Sequence, residues 1–492
     1  MSTTLLIVNN PATWNLSLTH ARIVSSKEYL SNPEFISLRH CRVLNLCHSY
    51  AYQGTGYYVS LLAEARGHKP VPSVATIQDM RYPTILRSIS LDLDELIQES
   101  LKRLRSNRFT LSIYFSRNLE SRYDKLSRQL FNLFPSPLLR AEFKKTAEQW
   151  IIQSLSPIPA SRIPDSHKES VSEFAQAYFS KRTVKGRRRA PRFHLAILTN
   201  KEDRTAPSCS KAIEHFVAAA DLHAIAAQVV SPDDYGRLAE FDGLFIRETT
   251  AVNNHTYRFS RRAEAEGMVV VDDPSSILRC TNKVFLAEML DRYHIPAPKT
   301  IILHKENRSE VLLRLGLPCV LKQPDSSFSK GVVKVDSERE FHENVESLLS
   351  TSDLLIAQEF IRTEFDWRIG VFDRKPQFAC KYYMARNHWQ IYNNSVAEDE
   401  GTDYSGEYET IPIDLVPDEV IRTALKAADR IGDGLYGVDL KTIHRKSYVI
   451  EVNDNPSIEA GVEDAVLQNA LYDNIMTIFL QRLETTRNLC PT

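Results

Sequence analysis

GVDLKTIHRKSYVIEVNDNPSIEAG, from Gly437 to Gly461, is the stretch that decides the fold. Its apolar runs predict strands over residues 435–443 and 447–453, joined by a polar turn at His444, Arg445 and Lys446. A turn centred near Arg445 sets Asp439 directly across from Glu451 in the antiparallel pair. The two-residue period then puts Asn453 on the face of Glu451. Two carboxylates and an amide oxygen on one face make an all-oxygen cluster. Like charges placed opposite each other cost roughly 0.2–1 kcal/mol when exposed, and more when buried. A hard cation such as Mg2+, which takes oxygen ligands, offsets that repulsion. A surface hairpin that merely carries acids is the alternative. The turn-rich Asn453-Asp454-Asn455-Pro456, straight after a strand of Val449, Ile450 and Val452, favours a loop placed for chemistry.

The GVD and EVNDNPSIEAG segments resemble the metal-binding end of the ATP-grasp carboxylate–amine ligases, and most of all the RimK-type branch that ligates glutamate. The resemblance implies ATP together with Mg2+, two ions with Mn2+ as an alternative, on Asp439, Glu451 and Asn453. It also implies motifs upstream. In TNKVFLAEMLDRYHIPAP, Thr281 is the expected N-cap of a helix, and Lys283 lies in its first turn. A cation is disfavoured there unless it serves an anion, and the family's lysine at this place reaches the nucleotide phosphates. In LPCVLKQPDSSFSKGVVKV, Lys322 corresponds to the second phosphate lysine, with a lysine snorkelling from an edge strand as the alternative. The loop 325–331 departs from the family's glycine-rich form. It keeps Gly331, while Ser326, Ser327, Ser329 and Lys330 offer hydroxyl, backbone and charged donors to phosphate.

In LLIAQEFIRTEFDWRI, residues 354–361 form a strand whose end, at Glu359, Phe360 and Ile361, takes the adenine edge in similar enzymes. Asp366 matches the acid that holds the ribose hydroxyls. Arg368, Lys381 and Arg386 are the cations where family members contact the γ-phosphate and the acyl intermediate; arginine suits such oxygens bidentately.

The remainder fits around this core. At 492 residues the chain accommodates about three domains. A net charge of −1 supplies no global field for nucleic acid or membrane. The seven cysteines are scattered without a CxxC pair, as expected of reduced thiols in the cytoplasm. No run approaches the ~18 apolar residues of a membrane span, and the short apolar MSTTLLIV lacks a basic n-region, so it predicts a strand.

Residues 1–180 are expected as an N-terminal α/β accessory domain, largely helical over 122–155, similar to the extension fused to some RimK-like proteins. Gly54 and Gly56 open a helix there, as an anion site or as a plain tight turn. KRTVKGRRRAPR, 181–192, is a basic linker or a contact for an acidic polymer. Residues 193–280 alternate strands and helices as a parallel pre-ATP-grasp sheet. Arg247, at a strand end, suits a substrate carboxylate, or is a surface arginine. Residues 281–485 form the ATP-grasp catalytic core of two α+β lobes enclosing ATP, with core-packing helices over 417–431 and 463–483. The implied function is ATP-dependent joining of a carboxylate to an amine through an acyl phosphate, with an amino acid such as glutamate and a peptide, protein or small acid as substrates, in a homo-oligomer. A non-catalytic nucleotide-binding module and an ATP-dependent kinase are the rival classes.

Overall fold

The computed structural model describes residues 4–14, 21–38, 41–82, 85–86, 93–146, 149–180, 191–325, 331–386, 388–391 and 406–489. The chain combines α/β and α+β parts in two compact units. One comprises the residues up to His194 together with Val230–Asp242; the other comprises Leu195–Val229 and Gly243–Asn488.

In the first unit, β1 (Thr4–Val8), β2 (Arg22–Ser25), β3 (Arg42–Asn45) and β4 (Lys69–Val71) form a parallel sheet in the order β2-β1-β3-β4. Strands β5 (Arg108–Tyr114), β6 (Leu138–Thr146) and β7 (Gln149–Pro157) form a separate antiparallel sheet. The helix expected through 122–155 is therefore confined to Asp124–Leu133. In LLRAEFKKT, Leu139, Ala141 and Phe143 are buried while Glu142 and Lys144 are exposed, a two-residue period that a helix cannot satisfy. The basic run 181–190 lies outside the described residues.

In the second unit, β8 (Phe193–Leu198), β9 (Ile225–Val230), β10 (Gly243–Ile246) and β11 (Val269–Val271) form a sheet in which β10 pairs in parallel with β8 and β11. Next come two antiparallel sheets. The first has β12 (Thr300–Leu303), β13 (Cys319–Lys322), β14 (Val332–Val335) and β15 (Leu355–Glu359) in the order β12-β15-β13-β14. Alternation sends Cys319 and Leu321 into a core with Val311, Phe341 and Val345 from two covering helices, and leaves Val320 and Lys322 on the other face.

The second sheet has β16 (Phe365–Phe372), β17 (Lys375–Tyr383), β18 (Tyr408–Ile411), β19 (Leu435–Ile443) and β20 (Lys446–Asp454) in the order β18-β17-β16-β19-β20. Trp367, Ile369, Val438 and Val452 pack against Val420, Ala424 and Ala427 of the helix Asp418–Ile431. The last helix runs Asn469–Leu489, later than expected. Before it, the Glu463 and Asp464 carboxylates accept from the Glu459 and Gly461 backbone N–H groups, which holds 459–464 as a loop, and Gln468 has a φ of +47°.

The β19–β20 hairpin has one feature that its sequence does not display. Ile443 pairs with Lys446 across a two-residue turn of His444 and Arg445, both left-handed at φ +49° and +65°. That register alone would face Glu451 toward Val438. A bulge restores the pairing: Leu440 is opposite Val449 while Asp439 is opposite Glu451, so Ile450 is the extra residue. The bulge also lets the consecutive Ile450 and Glu451 both face the cleft described below.

Strand β16, which carries Asp366 and Arg368, is seated by a close approach. A Cβ on Gly370 would lie 2.2 Å from the Phe378 ring on β17. Gly370→Ala is expected to destabilise the protein by about 1–3 kcal/mol. The Phe378→Leu background should recover most of that loss in a urea-unfolding double-mutant cycle.

Candidate active site

The two antiparallel sheets turn their polar faces to one cleft of about 640 Å3, within the range of small-molecule sites. On β13 and β15, Lys322 and Gln358 stand on the face away from the core. The Lys322 ammonium donates to Gln358 Oε1 at 2.7 Å, and Gln358 Nε2 donates to Thr300 Oγ1 at 2.9 Å. Burial, opposed by the nearby Glu451 charge, lowers the Lys322 pKa to about 8.

Across the cleft, Arg368 grips Asp439 bidentately, Nε and one terminal nitrogen each 2.7 Å from a carboxylate oxygen. Lys283 reaches Glu451 Oε1 at 2.9 Å. Lys441 donates to Asp366 Oδ1 at 2.6 Å, and Thr363 donates to the same oxygen at 3.0 Å. Asn453 Nδ2 donates to Asp439 Oδ2 at 3.1 Å. Burial raises the Asp439 pKa against the pull of Arg368. Burial would raise Glu451 too, but the Lys283 and Lys322 charges outweigh it and hold the Glu451 carboxyl below its ordinary range.

Local sequence explains much of this placement. Asn282, not Thr281, caps the helix Lys283–Arg292, its side-chain oxygen accepting from Val284 and Phe285; Thr281 ends the preceding helix instead. Asn and Thr are both capping residues, and the asparagine one step on wins. The Lys283 N–H donates to the Pro324 carbonyl at 3.0 Å, which ties the helix start to the end of β13. Glu359, Phe360 and Ile361 line the cleft at the end of β15, and Glu359 bonds the Lys299 backbone through its own N–H at 2.8 Å.

Four expected residues stand elsewhere. Lys381 pairs across β16 with Trp367, whereas Arg368 pairs with Cys380. Lys381 therefore stands on the face away from the cleft, over the Phe365 and Trp367 rings, with its ammonium 3.0 Å from Glu409. Arg386 is exposed just beyond β17 and does not line the cleft. Gly331 sits at the base of the β13–β14 hairpin with φ +70°, its carbonyl accepting from Gln323 N–H, and does not line the cleft either. Ser327, Ser329 and Lys330 lie outside the described residues.

Arg247 is not a surface group and does not line the cleft. It is fully buried, donating to Ser208 Oγ, the Pro207 and Pro456 carbonyls and Asn455 Oδ1 at 2.7–3.0 Å. It fastens the loop after β20, a role its position at a strand end did not reveal. Lys441, Gln358 and Tyr382 were missed. Lys441 shares a strand face with Asp439 two residues away, a signal present in the sequence. Gln358 and Tyr382, whose ring lies 5.3 Å from the Arg368 guanidinium, depend on cross-strand register.

A family model described as RimK-like ATPgrasp N-terminal domain matches residues 26–174, and one described as ATP-grasp domain matches residues 280–458. The chain belongs to the RimK-like ATP-grasp family. It is accordingly an ATP-dependent enzyme of the carbon–nitrogen ligase class. It is 29% identical over 226 residues to the alpha-aminoadipate–LysW ligase LysX of Saccharolobus solfataricus, covering 44% of this chain and 77% of that protein. It is 25% identical over 238 residues to a protein named probable alpha-L-glutamate ligase of Cellvibrio japonicus, covering 46% and 73%. No described helix is long and apolar enough to cross a membrane.

Two outcomes check the electrostatics of this ATP-grasp cleft and of the buried arginine that fastens its loop. In NMR of reductively 13C-methylated protein, one lysine should titrate near pH 8, and the signal should vanish in Lys322→Arg. Because this folded pKa lies below the ordinary lysine value, the cost of burying the charge is fully present below about pH 8. Stability contributed by Lys322 should then rise as pH climbs from about 8 toward the unfolded lysine pKa of ~10.4. Arg247→Leu should lower the urea-derived unfolding free energy by about 3 kcal/mol or more, since several buried acceptors lose a charged donor together.

Proposed function

We propose that the chain activates a substrate carboxylate with ATP and joins it to the amine of an amino acid such as glutamate, extending a peptide, a protein tail or a small acid. The observation that carries this reading is the face-to-face pair Asp439 and Glu451, held by Arg368 and Lys283 in the same cleft as Lys322 and Lys441. In this reading residues 281–485 are the catalytic module and 193–280 the domain that precedes it.

Asp439, Glu451 and Asn453 offer oxygen donors, the type a hard divalent cation takes, so these residues would hold Mg2+. When bound, the ion neutralises phosphate charge. Lys283 and Lys322 bind phosphate oxygens. Lys322 is suited to this because its partner, Gln358, is neutral. Asp366 and the end of β15 orient the nucleoside. Arg368 exchanges carboxylate for phosphoryl oxygens as charge develops.

A substrate carboxylate oxygen forms its bond to the γ-phosphorus as the bond to ADP breaks. The amine nitrogen then bonds to the acyl carbon, phosphate leaves, and the nitrogen loses a proton. No protein nucleophile is required, so the residues act by positioning and charge. The names of the two relatives, an aminoadipate ligase and a glutamate ligase, support an amino acid among the substrates.

The test is ADP release with Mg2+ across single amino acids and then pairs, with mass spectrometry of products. A new amide mass is expected, with turnover reduced at least ~100-fold in Asp439→Ala/Glu451→Ala and abolished by EDTA. ADP formed without any amine requirement would assign a kinase. ATP bound with no turnover in any mixture would assign a binding module.

A further inference from the structure

The first unit has a cavity of its own, about 160 Å3, that shares no residue with the cleft. Its volume equals about five waters of liquid, a quarter of the cleft, and so admits a molecule of amino-acid size rather than a nucleotide. Phe115, Phe131, Phe174 and Tyr178 supply apolar walls, and Arg117, Arg128, Arg237, Asp233 and Asp234 bring both charge signs to the same place.

The charges are unevenly committed. Arg128 pairs with Asp233 through one carboxylate oxygen, and the Asp233 side chain remains more than half exposed. Arg237, whose side chain is 8% exposed, gives its terminal nitrogens to Asp234 at 3.0 Å and Glu240 at 3.4 Å. Its buried Nε–H has no acceptor among the described residues. Arg117 has no carboxylate partner among the described residues, and its guanidinium lies 5.7 Å from the centre of the Phe174 ring.

The frame is rigid. Tyr178 donates to Glu240 at 2.5 Å and accepts from Arg42, which also pairs with Glu240, so three buried groups fix the ring that forms one wall. Next to it in the same wall, with ring centroids 5.5 Å apart, stands Phe115, and Phe115 and Ser116 are both left-handed, at φ +51° and +72°. A bulky residue such as phenylalanine rarely adopts that conformation, and residues held so cluster at ligand-binding sites.

We propose that this cavity binds a free α-amino acid with a small apolar side chain. Its carboxylate meets the Arg117 guanidinium, its ammonium meets the second oxygen of Asp233, and its side chain lies against the aromatic walls. Both charge signs within a few ångströms suit a zwitterion, whereas a simple anion would face Asp233 and Asp234 as well.

Isothermal titration of the full chain, without ATP, against a panel of L-amino acids tests this. At least one of alanine, valine, isoleucine or leucine is expected to bind with Kd of ~1 mM or tighter. Arg117→Gln, an exposed position that folding tolerates, should weaken it at least ~10-fold, and Ala177→Phe, which fills the cavity, should remove it. Asp439→Ala/Glu451→Ala should leave it unchanged, which separates this site from the ATP-grasp cleft. The proposal is overturned if none of them binds at ~10 mM, if binding survives both cavity variants, or if it disappears in the Asp439→Ala/Glu451→Ala protein.

Discussion

The second unit depends on the opposition of Asp439 and Glu451 across β19 and β20. Two carboxylates facing each other on a partly buried sheet are unfavourable alone, and burial raises the cost. The fold meets that cost with cations from two other elements, Arg368 from the adjacent β16 and Lys283 from the first residue of a helix. Each is positioned by something else in turn: Arg368 by its register with Asp439, and Lys283 by the Asn282 cap and the Pro324 carbonyl. The site is thus a set of mutual constraints, which is what precise placement of charge requires.

The same pairs give the cleft its chemical readiness. Lys283, Arg368 and Lys441 each rest on a carboxylate, so the cleft is electrostatically balanced instead of presenting a row of repelling cations. Lys322 differs in having an amide as its partner, and burial, together with the neighbouring Lys283 and Lys441 charges, lowers its pKa against the pull of Glu451. A phosphate entering the cleft gains most from the cation that is least compensated beforehand.

Legibility in the sequence followed the range of the interaction concerned. Asp439 opposite Glu451 and Asn453 beside Glu451 rest on the two-residue period within a hairpin, and both stand in the structure as expected. The first arises by two compensating steps: the turn lies one half-step from its expected centre, and the Ile450 bulge makes up the difference. The two strands 138–157 carry an alternation that was overlooked in favour of helical apolar spacing. Lys381 was misplaced because alternation says that neighbours on a strand face opposite ways, without saying which face is the cleft.

By itself the sequence determined the elements of the cleft, its family and most of its charged inventory, since these depend on local periodicity, caps and motif spacing. Only the tertiary structure decided which face of β16 and β17 meets the cleft, that Arg247 is spent on four acceptors inside the fold, and that Arg117, Arg237 and Asp233 converge on one cavity. The physical reason is that a side chain's partners come from segments 36 to 208 residues away, brought together by burial of apolar faces that carry no record of which polar groups will meet beside them.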